Sequence, residues 1–154
     1  MREFPSSLLK NVLSQNDEEE GETNVYGDPL KPCSDSSMAT TGYTRDGKCS
    51  LHLKDRGSHH ICVKDIAGRK SGQNFCTITG QPDWCSETQD GNPRKNWCVC
   101  EWAYERFLQA DEKNCDLLEI DCDATNHLAI DHYVKTGKTE ALKCLEKKCF
   151  SRKH

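Results

Sequence analysis

Cysteine and histidine are the residues of this chain that are best suited to chemistry. The chain has 154 residues, of which eleven are cysteine and six are histidine. A cysteine can form a disulfide, bind a metal ion as the thiolate or attack an electrophile. The cysteines are spread over most of the chain: Cys33, Cys49, Cys62, Cys76, Cys85, Cys98, Cys100, Cys115, Cys122, Cys144 and Cys149.

Disulfide formation is the first interpretation of this set, and all eleven cysteines are disulfide candidates. Hydrophobic residues make up only 34% of the chain, so the apolar core is small and needs additional stabilisation. Cytosolic proteins rarely carry so many cysteines unless they bind metal. We therefore expect an oxidising compartment (an organelle lumen, the intermembrane space or the secretory route), although no targeting signal is visible. An odd number leaves one thiol over.

The densest apolar run, residues 96–108, is predicted to be a helix around which the chain is organised. Its large side chains recur at three- and four-residue spacing, and Asn96 precedes them as an N-cap. Glu101, Glu105 and Arg106 fall on the side of this helix opposite the apolar face.

Two cysteines lie in the first turn of that predicted helix. Because side chains two residues apart on a helix diverge, Cys98 and Cys100 are not expected to bond each other. A helix start favours a thiolate, so a thiol-dependent oxidoreductase using these two cysteines is one alternative function. The flanking Trp97 and Trp102 indicate burial, which favours structural pairing with two different segments.

The remaining pattern predicts an α+β fold with a turn-rich first half of short strands and a helical second half. Strands are predicted over residues 58–63 and 74–79, where β-branched residues occur. Helices are predicted over 126–136 and 139–150, with Gly137 between them as a stop signal. Thr125 or Asn126 is expected to cap the first of these helices and Thr139 the second. Residues 24–150 form a single small, disulfide-rich domain in this interpretation.

The two ends of the chain carry opposite charge. Residues 1–28 have two basic and seven acidic residues, a net charge of −5, and residues 135–154 have seven basic and two acidic residues, a net charge of +5. Residues 1–23 are predicted to be an arm and linker. Its apolar side is a candidate partner-binding surface: Leu8, Leu9, Val12 and Leu13. The basic tail is the other candidate contact with a partner protein.

Nucleic acid and the membrane are not expected as partners. The whole chain has a net charge of −4, which argues against general nucleic-acid binding. No stretch reaches the roughly 20 apolar residues that span a bilayer.

Five short motifs occur in the order found in domain-of-unknown-function family 2237. This family consists of small proteins of bacteria and some eukaryotes. The chain resembles it over roughly residues 24–108. The motifs are Asn24-Val25-Tyr26-Gly27, Leu30 with Cys33, Gly42-Tyr43-Thr44-Arg45-Asp46-Gly47 with Cys49, Gly57-Ser58-His59 with Cys62, and Trp97-Cys98-Val99-Cys100. Residues 75–85 depart from the bacterial type and add two cysteines, and the tail adds four. The chain is thus similar to a longer, cysteine-richer eukaryotic branch, such as algal proteins. The family carries no established activity.

The resemblance also implies how the cysteines pair. Cys33, Cys49 and Cys62 share the family pattern with Cys98 and Cys100, which makes them the expected partners of those two and leaves one of the three as the odd thiol. The cysteines outside the family pattern are then expected to pair among themselves: Cys76 with Cys85, and Cys115 and Cys122 with Cys144 and Cys149.

A zinc site is the alternative to disulfides at the family-matching positions. Its candidate ligands are Cys33, Cys49, His59, Cys62, Cys98 and Cys100. The chain lacks any Cys-x-x-Cys pair, the spacing typical of a zinc knuckle. His59 and His60 are adjacent, and on a strand they would face opposite sides, one inward and one towards solvent.

The sequence therefore favours a non-enzymatic, disulfide-stapled interaction module, an accessory subunit of a larger assembly, without a cofactor. No catalytic arrangement is recognisable by spacing. A zinc-binding protein or a thiol-dependent enzyme remains the competing class, so the question of enzyme activity stays open.

Overall fold

The computed structural model describes residues 21–67 and 75–151 and has the α+β, disulfide-rich architecture predicted from the sequence. The predicted partner-binding residues Leu8, Leu9, Val12 and Leu13 lie outside the described residues. The strands are β1 His59–Lys64, β2 Thr88–Gln89, β3 Asn92–Pro93, β4 Trp97–Cys100 and β5 Glu119–Ile120. The α-helices are α1 Phe75–Ile78, α2 Glu101–Ala110, α3 His127–Thr136 and α4 Thr139–Leu145. Single turns of other helix types cover Trp84–Ser86, Glu112–Asp116, Cys122–Ala124 and Glu146–Phe150.

A three-stranded antiparallel sheet lies at the centre, in the order β4-β1-β5. Strand β1 occupies the middle, as its run of β-branched and apolar residues predicts. Cys62 lies opposite Cys98 and Val63 opposite Trp97, and the register shifts between His59 and Ile61.

Neighbouring residues of β1 belong to two different cores. Ile61 and Val63, both fully buried, pack in a large apolar core with Phe107 and Tyr133 of the helices. Cys62 belongs to a second, smaller core of four disulfide-bonded cysteines and one alanine: Cys33, Cys49, Cys62, Cys98 and Ala124. The sheet alternation thus separates a helical half from a disulfide half.

The predicted helix over 96–108 is correct only from Glu101 onward. Residues 97–100 form β4, because their backbone pairs with β1 and tertiary pairing outweighs the helical spacing of the side chains. Glu101 and Glu105, which the spacing places opposite the apolar face, are both buried. Each has partners that offset the cost of burial; Glu105 accepts the backbone N–H of Ala141 at 2.7 Å.

The strand predicted over 74–79 is wrong as well. Phe75–Ile78 form one helical turn, and both the N–H and the hydroxyl of Thr79 donate to the Phe75 carbonyl, the latter at 2.7 Å. Three alternating positions are too few to separate a strand from a helical turn. The strand predicted over 58–63 is confirmed by β1.

The two C-terminal helices are confirmed, with one difference at a cap. The Asn126 side chain accepts the N–H of Leu128 at 2.9 Å, and Gly137 ends α3 in the left-handed conformation with φ 72°. Thr139 does not cap α4. The carboxylate of Glu105 satisfies its first turn instead, which no local pattern could indicate.

All eleven cysteines lie within the described residues, and ten form disulfides. The pairs are Cys33–Cys62, Cys49–Cys98, Cys76–Cys85, Cys115–Cys144 and Cys122–Cys149. The last three agree with the expected grouping.

Cys100 is the unpaired cysteine, so its place among the disulfide candidates is wrong. The odd thiol was expected among Cys33, Cys49 and Cys62. Instead Cys33 and Cys62 lie 5.7 Å apart between Cα atoms and bond each other, which leaves Cys49 for Cys98.

None of the helices in the described ranges is long and apolar enough to cross a membrane.

Candidate functional site

The junction of β4 and α2 carries the one free thiol of the protein. Cys100 is the last residue of β4 and the N-cap residue of α2, and it is half-buried. Its extended backbone turns the chain from strand to helix. The N–H groups of Trp102 and Ala103, in the first helical turn, favour the thiolate of Cys100.

A carboxylate and an imidazole lie on the neighbouring strand and the loop before it. Asp55 Oδ1 lies 2.7 Å from Nδ1 of His59, and Asp55 Oδ2 accepts the backbone N–H of His59 at 2.9 Å. Asp55 Oδ1 also accepts the N–H groups of Gly57 and Ser58, both at 3.1 Å. Burial acts to raise the pKa of Asp55, but these hydrogen bonds outweigh it and hold the pKa below its usual value. The carboxylate therefore accepts from Nδ1–H, which leaves Nε2 of His59 as the ring nitrogen that can take up a proton.

A glycine gives the His59 ring its place. A Cβ atom on Gly57 would lie 2.6 Å from Cε1 and 3.2 Å from Nδ1 of His59. The ring packs directly over the Gly57 backbone, so any side chain at this position would displace it.

The strand register makes His59 the cross-strand partner of Cys100 in the β1–β4 pair, at the point where the register shifts between His59 and Ile61. Burial raises the pKa of Cys100; the N–H groups of α2 oppose this rise, and the carboxylates of Glu101 and Asp55 add to it. The resting group is thus a thiol that needs a base, and the order Cys100, His59, Asp55 is that of a nucleophile, a base and an orienting carboxylate.

A second cluster surrounds the next residue of each segment. Glu101 is fully buried, and its Oε2 lies 2.7 Å from Nδ1 of His60. His132 of α3 places its Nδ1 2.9 Å from both carboxylate oxygens of Glu101. Nε2 of His60 is buried without a hydrogen-bond partner among the described residues. The hydroxyl of Tyr133 donates to the Glu101 carbonyl at 2.6 Å.

The structure brings four of the six predicted zinc ligands together and pairs them in disulfides. Four of them, Cys33, Cys62, Cys49 and Cys98, are joined in two adjacent disulfides and have no thiolate to offer a metal in this state. His59 and Cys100 remain as an unbonded pair. The prediction for the two histidines is correct, since His60 is buried and the His59 side chain is 37% exposed.

Sequence reasoning missed three members of these clusters, Asp55, Glu101 and His132. The spacing Asp55-x-Gly57-x-His59 is a local signal that could have indicated a loop carboxylate holding a histidine. Glu101 and His132 are 31 residues apart in sequence, and only the tertiary fold brings the first residue of α2 next to α3.

A family comparison matches most of the chain. The matching family is that of uncharacterised proteins conserved in bacteria, domain-of-unknown-function family 2237, over residues 23–143. The chain belongs to this family. Both clusters lie inside the region that matches family 2237, whereas Cys144 and Cys149 follow its end. A comparison with curated proteins finds no match.

Proposed function

We propose that this member of family 2237 carries out acyl transfer through a thioester on Cys100. His59 is the general base and Asp55 orients it. The observation that carries the proposal is the cross-strand pairing of His59 with Cys100, the one cysteine outside the disulfides.

The proposed reaction begins with the Cys100 thiol. Its proton passes to Nε2 of His59 while the sulfur bonds to the carbonyl carbon of an ester. The carbon–oxygen bond then breaks, and the alcohol leaves with the proton from His59. Water then attacks the thioester and gives one proton to His59. The carbon–sulfur bond breaks, His59 returns the proton to the sulfur, and the carboxylic acid leaves. Backbone N–H groups at the start of α2 are the available donors to the oxyanion.

The disulfides favour this single-thiol chemistry over the dithiol alternative. An oxidoreductase using Cys98 and Cys100 needs these two sulfurs to exchange with each other. Cys98 is instead bonded to Cys49, and both are buried. Of the two cysteines considered for a thiol-dependent enzyme, only Cys100 therefore has a free thiol.

Exposed apolar side chains on the loop before Asp55 support a substrate with an apolar acyl group or a partner protein. Leu53 is 94% exposed and Leu51 is 51% exposed, on the loop that leads to Asp55. The Tyr43 ring, itself exposed, stacks 6.5 Å from the His59 ring.

A role as an accessory subunit of a larger assembly is a second proposal, and these exposed apolar residues are the observation that favours it. Docking by the N-terminal arm stays a prediction. In the basic tail, the ammonium group of Lys147 lies 3.0 Å from Asp116 and that of Lys148 lies 3.8 Å from Glu119, so both amines are engaged within the chain. The five disulfides are consistent with an oxidising environment; an organelle lumen, the intermembrane space or the secretory route is the proposed compartment.

The acyl-transfer proposal is tested by intact mass after incubation with p-nitrophenyl hexanoate. We expect one hexanoyl group per chain, mapped to Cys100, and a burst of p-nitrophenol that Cys100→Ser abolishes. His127→Gln, at a half-buried histidine whose neighbour is Asp131, is the matched control and should retain the burst. An acyl group carried only by lysines, or a burst that persists in Cys100→Ser, would overturn the proposal.

The accessory-subunit proposal is tested by co-purification. Deleting residues 1–20 removes most of the arm, and Leu53→Ser removes the most exposed apolar side chain of the loop. Loss of a partner in either variant supports the proposal. Unchanged recovery of every partner in both variants contradicts it.

A further inference from the structure

The Glu101 cluster differs from an ordinary ion pair because one buried carboxylate is shared by two imidazoles. A ligand nitrogen of His60, a ligand nitrogen of His132 and a carboxylate oxygen of Glu101 all lie within 4.8 Å of one another. The three residues come from β1, α2 and α3, so the fold itself holds them in place. Cys100 is not a member of this cluster.

The donor set is chemically suited to one class of ligand. Two imidazole nitrogens and one carboxylate oxygen are ligands that Zn²⁺ accepts, at about 2.0–2.2 Å, with water in the fourth position. Ligand atoms of a tetrahedral site with such bonds are about 3.4 Å apart. The contacts of 2.7 and 2.9 Å between Glu101 and the two rings need to open by only about 0.5 Å to admit the ion.

Burial gives a second indication. The carboxylate of Glu101 and the ring of His60 are both almost completely shielded from water, and Oε2 of Glu101 lies 2.7 Å from Nδ1 of His60. A fully buried carboxylate is costly unless its charge is compensated. A divalent cation between these atoms would compensate the carboxylate charge and would use the Nδ1 lone pair of His60.

The site also has a route to solvent. The His132 side chain is 35% exposed, whereas those of His60 and Glu101 are buried. An ion can therefore reach the cluster from the α3 side.

We infer that His60, Glu101 and His132 form a zinc site that is separate from the proposed thiol site. This ligand set differs from the cysteine-based set that the sequence offers as an alternative to disulfides. The inference does not depend on the acyl-transfer proposal, because Cys100 and His59 are not among its ligands.

The test is zinc binding by the full, untagged chain with its disulfides intact. The protein is dialysed against a chelator and then into chelator-free buffer, and Zn²⁺ is added in competition with a chromophoric zinc indicator. We expect one ion per chain. His132→Gln should weaken the affinity at least tenfold without unfolding the protein, since this side chain is partly exposed. Glu101→Gln should also weaken the affinity at least tenfold. His127→Gln is the control and should bind as the wild type does.

Cobalt substitution gives a second readout. Co²⁺ at this site should show ligand-field bands without a thiolate charge-transfer band, and the spectrum should be unchanged in Cys100→Ser. Absence of stoichiometric zinc in the wild type would overturn the inference. Equal affinity of wild type and His132→Gln, or a thiolate band lost in Cys100→Ser, would overturn it as well. Acylation of Cys100 is measured separately, so failure of one proposal is distinguishable from failure of the other.

Discussion

Two neighbouring histidines of β1 lie in contrasting surroundings. His59 is partly exposed, is held by Asp55 four residues earlier and is the cross-strand partner of a thiol. His60 is buried and is held by Glu101, 41 residues later in sequence. Neighbouring side chains of a strand point to opposite faces of the sheet. Strand β1 therefore places its two imidazoles in different environments, where each can take part in a different kind of chemistry.

The carboxylate partners differ in the same way. The Asp55 carboxylate accepts backbone N–H groups of the residues that follow it, so it stabilises its own loop and positions His59. Glu101 joins three elements of the fold through His60 and His132. Removal of Asp55 should therefore affect mainly reactivity, whereas removal of Glu101 should affect mainly stability.

The largest effect is expected from Glu101→Ala. This substitution leaves two imidazoles without their shared acceptor, one of them fully buried, and should cost about 3–5 kcal/mol in the free energy of unfolding. Urea unfolding followed by circular dichroism measures it. Glu112→Ala, at an exposed carboxylate, is the control and should change stability by less than about 0.5 kcal/mol. A loss in Glu101→Ala as small as that of the control would contradict the assignment of Glu101 as the central acceptor.

Asp55→Asn should lower the rate of Cys100 acylation by about 100-fold. The amide keeps the shape but does not fix the tautomer that leaves Nε2 unprotonated. The rate of p-nitrophenol release at pH 7 measures the effect. A rate equal to that of the wild type would show that His59 does not need its carboxylate.

The pKa of Asp55 makes a separate prediction for acid stability. This pKa is depressed in the folded protein, so the folded state is favoured while the carboxylate is ionised. The contribution is fully present above the unfolded value of about 3.9 and is lost as the pH falls through the lower folded value. The difference in stability between wild type and Asp55→Asn should therefore shrink over that acidic range. A difference that stays constant with pH would contradict the depressed pKa.

Gly57→Ala is expected to have the smallest effect. The added methyl group would meet the His59 ring at 2.6 Å, so the ring must move away from its present position. We expect about a tenfold lower acylation rate, which corresponds to about 1.4 kcal/mol, with a smaller change in stability. Gly91→Ala lies at a position with open space around it and is the control for adding a methyl group, although its φ of 80° adds some backbone strain. An unchanged rate in Gly57→Ala would mean that the ring position does not matter for the chemistry.

Local signals predicted part of this structure from the sequence. The strand containing the two histidines, the Asn126 cap and the Gly137 stop all depend on neighbouring residues, and each is found in the structure. The start of α2 could not be predicted, because Trp97 to Cys100 carry helical spacing but are paired with β1. The Cys33–Cys62 bond and the burial of Glu101 depend on contacts between distant segments, for which the sequence gives no periodic signal.

The most direct test of the thiol site compares the two sides of β1 in one experiment. The rate of acyl-enzyme formation from p-nitrophenyl hexanoate is followed by intact mass for wild type, His59→Gln and His132→Gln. We expect the label on Cys100 in all three proteins, a rate about 100-fold lower in His59→Gln, and a rate within twofold of the wild type in His132→Gln. Equal rates in His59→Gln and the wild type, or a label that is not on Cys100, would contradict the role of His59 as the base for the free thiol.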